Sequence, residues 1–184
     1  GLGNRQQRSW LAVDLGVSFG DEEHLPGIDL IMPDISFLEK ERNNLVGLVL
    51  THAHEDHFGA IIDLWPKLKC PIYATKFSAD LFEAKCAAER NAPKIPVTVI
   101  ASGGRVDIGP FNVEFIPVAH SIPESHALAI HTEVGTVLHT GDWKIDPTPI
   151  IGLPTDERRL RELGDAGLLA LIGASTNDVR EGRS

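Results

Sequence analysis

The sequence predicts a mixed α/β fold, a sheet covered by helices. Three observations carry the prediction. Short apolar or β-branched runs alternate along the chain with helix-period segments and with one hairpin signal. No internal repeat or low-complexity stretch interrupts that alternation. The 184 residues suffice for one domain with a real core, and 42% hydrophobic with 23% charged residues is the composition of a globular chain.

Taken in order, Trp10-Leu11-Ala12-Val13-Asp14 reads as a strand ending in a carboxylate, just before Leu15-Gly16. Residues 20–33 are polar and punctuated by Pro26, Gly27 and Pro33, so they are expected to form a loop. Residues 37–43 read as a short helix, and the apolar run 45–50 as a buried strand. A helix is expected to open near Phe58, bury Ile61, Ile62, Leu64 and Trp65, and end at Pro66. Residues 70–74 form a short strand, and 78–91 a helix with Ser78 as N-cap and Leu81, Phe82, Lys85 and Cys86 at helical spacing. Val97-Thr98-Val99-Ile100 is strand-like. Gly103-Gly104 and Gly109-Pro110 mark turns, and 111–117 alternates Phe111, Val113 and Phe115 against Asn112 and Glu114 as a half-buried strand would. Residues 128–132 and 136–139 pair as a hairpin around Glu133-Val134-Gly135. Residues 156–165 are an amphipathic helix capped by Thr155, and 168–172 a buried strand leading to Ala174-Ser175-Thr176-Asn177.

The most informative stretch is Thr51-His52-Ala53-His54-Glu55-Asp56-His57, set between the buried strand and the helix that follows. A strand-to-helix loop can hold several ligands at fixed spacing on a rigid sheet edge. His52 and His54 point the same way in an extended segment, so both can bind one metal ion. Asp56 and His57 lie where the chain turns into the helix and can reach a second. Neutral imidazole and carboxylate are the donors zinc accepts when thiolates are absent. Two residues elsewhere join as candidates: His120, at a strand end, as a further ligand, and Asp142, in a glycine turn after a strand, as a carboxylate able to bridge two ions. The alternatives are a structural histidine and a turn aspartate. Asp14 either braces the His-rich loop by hydrogen bonds or forms the turn before Gly16.

The formal charge of −9 argues against non-specific nucleic-acid binding through a basic face. Two bound Zn²⁺ would nevertheless place four positive charges where a phosphate would sit. Cys70 and Cys86 form no CxxC or Cys/His pattern, so neither a disulfide nor a thiolate metal site is expected. No apolar run approaches a membrane span and no signal peptide is visible, so a cytoplasmic protein is expected. Gly1 at one end and Arg183-Ser184 at the other suggest a segment of a longer chain.

The order His52-x-His54-x-Asp56-His57, then His120, then Asp142, resembles that of the metallo-β-lactamase superfamily. Val13-Asp14-Leu15-Gly16-Val17, His120-Ser121-Ile122-Pro123, Thr140-Gly141-Asp142-Trp143-Lys144 and Ser175-Thr176-Asn177 narrow the resemblance to the ribonuclease J family of β-CASP nucleases. The resemblance implies an αββα sandwich, incomplete at both ends. Residues 1–184 would be a catalytic-domain fragment without the β-CASP and C-terminal domains. It implies a zinc-dependent ribonuclease acting on single-stranded RNA, exo- or endonucleolytic, with Mn²⁺ also compatible. His52, His54 and His120 would hold one zinc, Asp56 and His57 the second, and Asp142 would bridge. Asp56 and Asp142 are then the catalytic candidates, and Ser121 either contacts a substrate phosphate or is a plain turn serine. A homo-oligomer is compatible with the sequence.

Two departures from the family stand out. A last zinc-ligating histidine, far downstream in the family, has no counterpart before Ser184, and Ala174 replaces an acidic residue. A lactam or thioester hydrolase on the same fold, or a metal-binding segment without turnover, are the alternatives.

Overall fold

The computed structural model describes residues 1–4, 8–20 and 26–174. Its elements in chain order are β1 (Leu2–Gly3), β2 (Arg8–Val13), β3 (Ser18–Phe19), β4 (Leu30–Ile31), α1 (Ser36–Lys40), β5 (Leu45–Val49), α2 (Glu55–Phe58) and α3 (Ile61–Leu68). There follow β6 (Ile72–Thr75), α4 (Lys76–Ala88), β7 (Val97–Ile100), β8 (Arg105–Ile108), β9 (Phe111–Pro117), β10 (His126–Thr132), β11 (Gly135–His139), α5 (Glu157–Ala166) and β12 (Ala170–Ile172).

Ten of these strands form two five-stranded sheets, and β3 and β4 pair in a separate two-stranded one. The first runs β1-β2-β5-β6-β7, parallel from β2 onward; the second runs β12-β11-β10-β9-β8, antiparallel except where β12 joins β11. Period-two alternation decides what each sheet buries. In β5, Val49 packs with Phe111, Val113, Phe115 and Leu128 between the sheets, while Leu48 faces Phe58, Ile61, Leu64 and Phe82 of the covering helices. On the far side, Ile116, Ala127, Ala129 and Leu138 pack against Leu160 and Leu163 of α5. The order of layers is therefore helix, sheet, sheet, helix.

Several local expectations are corrected. Pro66 does not end α3 but lies inside it, with the buried stripe running on to Leu68. A proline removes one backbone donor, but the apolar contacts beyond it keep the turn. The helix stops at Lys69, whose left-handed backbone (φ 52°) donates its N–H to Trp65 O. Ser78 is not an N-cap: α4 begins two residues earlier, leaving Ser78 buried in its first turn. Thr155 does not cap α5 either. Asp156 does, accepting Arg159 N–H at 2.9 Å, while Thr155 Oγ1 is engaged by Ala119 N–H and Lys144 O.

The loop expected at 20–33 contains β4, which pairs with β3. The short helix at 37–43 is narrower, 36–40, and β8 was not anticipated. The alternation in β9 is correct, but Glu114 is buried, because Arg105, Arg159 and His131 pair with its carboxylate under α5. The strand expected buried at 168–172 is an exposed edge. β12 pairs on one side only among the described residues, with Leu169 at 60% and Leu171 at 63% exposure. Residues 175–177 lie outside the described residues.

Candidate metal centre

The centre is assembled from the loops at one end of both sheets. β5 delivers the chain to Thr51 and His52, and α2 begins at Glu55, with His57 and Phe58 N–H both bonded to His54 O. The segment after β2 runs beside this turn. Leu15 N–H donates to His57 O at 2.6 Å, Val17 N–H to Glu55 O, and Ala60 N–H to Leu15 O. Gly16 makes that approach possible, since a Cβ there would stand 1.8 Å from Asp56 O.

Asp14 sits at the junction in a left-handed conformation, φ 59°. Its Oδ1 accepts Thr51 N–H at 2.8 Å, and its Oδ2 accepts the Thr51 hydroxyl at 2.7 Å and faces His57 Nδ1 at 2.7 Å. One carboxylate thus orients both ends of the His-rich loop. With Nδ1 donating to Asp14, His57 Nε2 is left facing Asp56 Oδ2 and Asp142 Oδ2, 3.6 Å from each.

The second sheet supplies the other groups. β9 ends at Pro117 and leads to His120, whose Nε2 lies 3.2 Å from His54 Nδ1 and 3.9 Å from Asp142 Oδ2. His52 Nε2 lies 3.0 Å from the same His54 nitrogen. β11 ends at His139, and Gly141 (φ 57°) turns the chain into Asp142. Lys144 N–H donates to Ala119 O, joining the Asp142 turn to the strand end bearing His120.

Two sets of donor atoms converge, each within 4.8 Å: His52, His54 and His120, and His52, His57 and Asp142. Asp56 reaches the second set through His57, with an exposed side chain. Ser121 is exposed beside His120. Burial, reinforced by the charges of His57, His120 and His54, pushes His52 down to about 2. Burial lowers His120 too, with His54 adding to the effect. Both imidazoles are therefore neutral, their lone pairs available. Burial works against protonation of His57, but the Asp14 hydrogen bond and the charges of Asp14, Asp142 and Asp56 outweigh it and raise its pKa. Converging neutral imidazoles with carboxylates alongside are the donor set of a zinc-type divalent ion, so the residues present fit such a group.

Sequence reasoning left two participants unassigned. Thr51 ties Asp14 to the loop, and its hydroxyl also contacts His52 Nδ1 at 3.0 Å. His139 Nδ1 accepts Gly141 N–H at 3.1 Å, fixing the Asp142 turn. The place of His139 three residues before Asp142 is a visible signal. Bracing of the His-rich loop by Asp14 is one of the two readings the sequence offers for that residue, but Thr51 as its partner, 37 residues away, is not marked by local pattern.

The family model of the metallo-beta-lactamase superfamily matches residues 7–165. The chain belongs to the metallo-beta-lactamase superfamily. Within that superfamily it is similar to Ribonuclease J of Sinorhizobium meliloti, 53% identical over 184 residues, covering all of this chain and 32% of that protein. Ribonuclease J of Helicobacter pylori is 40% identical over 177 residues, 95% of this chain and 25% of that protein. The chain spans about a third or less of the length of these curated relatives. Among solved structures, the metallo-beta-lactamase fold protein YhfI from Bacillus subtilis matches with a TM-score of 0.51 at 20% identity, covering 72% of this chain and 51% of that one. That likeness is one of fold. Among the described residues, no helix is long and apolar enough to cross a membrane.

Proposed function

We propose that residues 1–184 are the metallo-β-lactamase-like catalytic unit of a metal-dependent ribonuclease of the ribonuclease J type, acting on single-stranded RNA in the cytoplasm. The observation that carries the reading is the convergence of His52, His54, His120, His57 and Asp142 from loops of both sheets, in a chain 53% identical to a Ribonuclease J.

In this reading His52, His54 and His120 would hold one Zn²⁺ and Asp56 and His57 a second, with Asp142 as a shared carboxylate ligand; Mn²⁺ would suit the same donors. Bound there, the ions supply Lewis acidity toward a phosphodiester and activate water near neutral pH. The chain's own residues do the rest. Asp14 keeps the His57 proton on Nδ1, so that Nε2 presents its lone pair to the centre. Thr51 holds Asp14 in place, and His139 holds the Asp142 turn. Ser121, exposed beside His120, is the group a substrate phosphate would meet.

The test joins metal stoichiometry to substrate choice. The purified protein and Asp142→Ala are assayed for bound zinc, then for turnover of a 5′-monophosphate RNA and of a chromogenic lactam. Two ions per chain, fewer in the variant, with RNA cleaved and the lactam untouched, is the expected result. Lactam turnover without RNA cleavage would overturn the assignment.

A further inference from the structure

The loop that carries His120 has a fastening that the metal-site reading does not use. Residues 118–126 leave β9 and return as β10, and the loop closes through Val118 N–H donating to Ser125 O at 3.0 Å. Near its base it is held on the Asp142 side, where Ala119 N–H donates to Thr155 Oγ1 and Ala119 O accepts from Lys144. Its tip is held by Glu124. That residue has a left-handed backbone, φ 53°, which a non-glycine residue adopts only under constraint. Its side chain reaches across 47 residues to α4, where Oε2 accepts Phe77 N–H at 2.9 Å.

That contact lies on the first turn of a helix of 13 residues whose N-cap, Thr75, makes no side-chain cap. A carboxylate there covers an open N–H and faces the positive end of the helix dipole. The same helix braces the other half of the centre. Phe82 of α4 packs edge-on against Phe58 of α2, ring centroids 6.1 Å apart, and Lys85 pairs with Glu55 at 2.5 Å. One rigid element therefore touches both the turn bearing His57 and the loop bearing His120.

We propose that Glu124 is a positioning residue for the metal centre. By capping α4 it fixes the His120 loop to the helix that buttresses the His-rich loop, and so sets His120 against His52 and His54. The inference rests on the metal-centre reading.

The test measures Zn²⁺ affinity by competition with a chromophoric chelator, with far-UV circular dichroism and melting of each metal-free protein recorded in parallel. Glu124→Gly removes the carboxylate at a position whose backbone suits glycine; Glu124→Met keeps the length without an acceptor, should the glycine variant not fold. Glu124→Gln retains an acceptor oxygen. Displaced supporting groups typically weaken metal binding about 10-fold or more. The expected result is such a loss in the glycine and methionine variants while they remain folded, with Glu124→Gln within about 3-fold of wild type, a margin well inside that loss. Wild-type affinity in a folded Glu124→Gly or Glu124→Met would overturn the inference alone, and so would an equal loss in Glu124→Gln. A wild-type protein that binds no zinc would overturn the metal-centre reading and the inference with it.

Discussion

Asp14→Asn tests how the His57 tautomer is set. The carboxylate accepts from Thr51 N–H, from the Thr51 hydroxyl and from His57 Nδ1, all at 2.7–2.8 Å. Hydrogen bonds to a charged group contribute about 1.5–3 kcal/mol each. The Thr51 hydroxyl keeps a second partner in His52 Nδ1. Asp14→Ala therefore leaves two bonds uncompensated and should cost about 3–6 kcal/mol. Asp14→Asn behaves differently. Its Oδ1 still accepts Thr51 N–H, but its amide now donates toward His57. The imidazole must accept at Nδ1 and carry its proton on Nε2, turning an N–H toward Asp56 and Asp142. The expected outcome is a protein within about 2 kcal/mol of wild type in urea unfolding with chelator present, since most of the hydrogen bonding is retained. Its second ion should bind about 10–100-fold more weakly by chelator competition. An Asp14→Asn variant that takes up two ions with wild-type affinity would refute the reasoning.

Further outcomes follow from the same geometry. Burial holds the His126 imidazole down to about 4, below the ordinary 6.5, so the folded protein favours the neutral ring. Its contribution is complete above about pH 6.5 and is lost as pH falls toward 4; by linkage, stability at pH 4.5 should be about 2–3 kcal/mol lower than at pH 7 from this group alone. His126→Gln should remove that part of the slope in unfolding curves at the two pH values, and an unchanged slope would count against it. Gly16→Ala drives a Cβ into the Asp56 carbonyl and should cost about 3 kcal/mol or more, with loss of bound metal by elemental analysis. Asp156→Ala should lower stability by about 1 kcal/mol through the lost α5 cap, read as a small drop in Tm, whereas no drop would mean water replaces the cap fully.

The layers of the fold were readable because they rest on local pattern. The apolar run 45–50 and the alternation of Phe111, Val113 and Phe115 have the periods of strands whatever the rest of the chain does. The His-rich loop was equally legible, its donors being neighbours in sequence. What local pattern could not give was cost balanced elsewhere. Pro66 survives inside a helix because Leu68 is worth burying, and Glu114 is tolerated in a core because Arg159, 45 residues on, meets it. Caps failed for the same reason. Thr155 and Ser78 are good cap types, but Thr155 was drawn to Ala119 and Lys144, and the end of α4 was supplied by Glu124. His120 meets His54 across 66 residues, and only motif order, not periodicity, hinted at that meeting.

The donors straddle the seam between the sheets: His52, His54 and His57 belong to the first, His120 and Asp142 to the second. An ion held there is a cross-link as well as a reagent. Ligation adds RT ln(1 + [M]/Kd) to stability, about 4 kcal/mol at a thousandfold excess over Kd. Survival of the chain then becomes coupled to metal supply. Copies without an ion would be the ones whose halves part most readily, and proteolysis would clear metal-free molecules ahead of metal-bound ones.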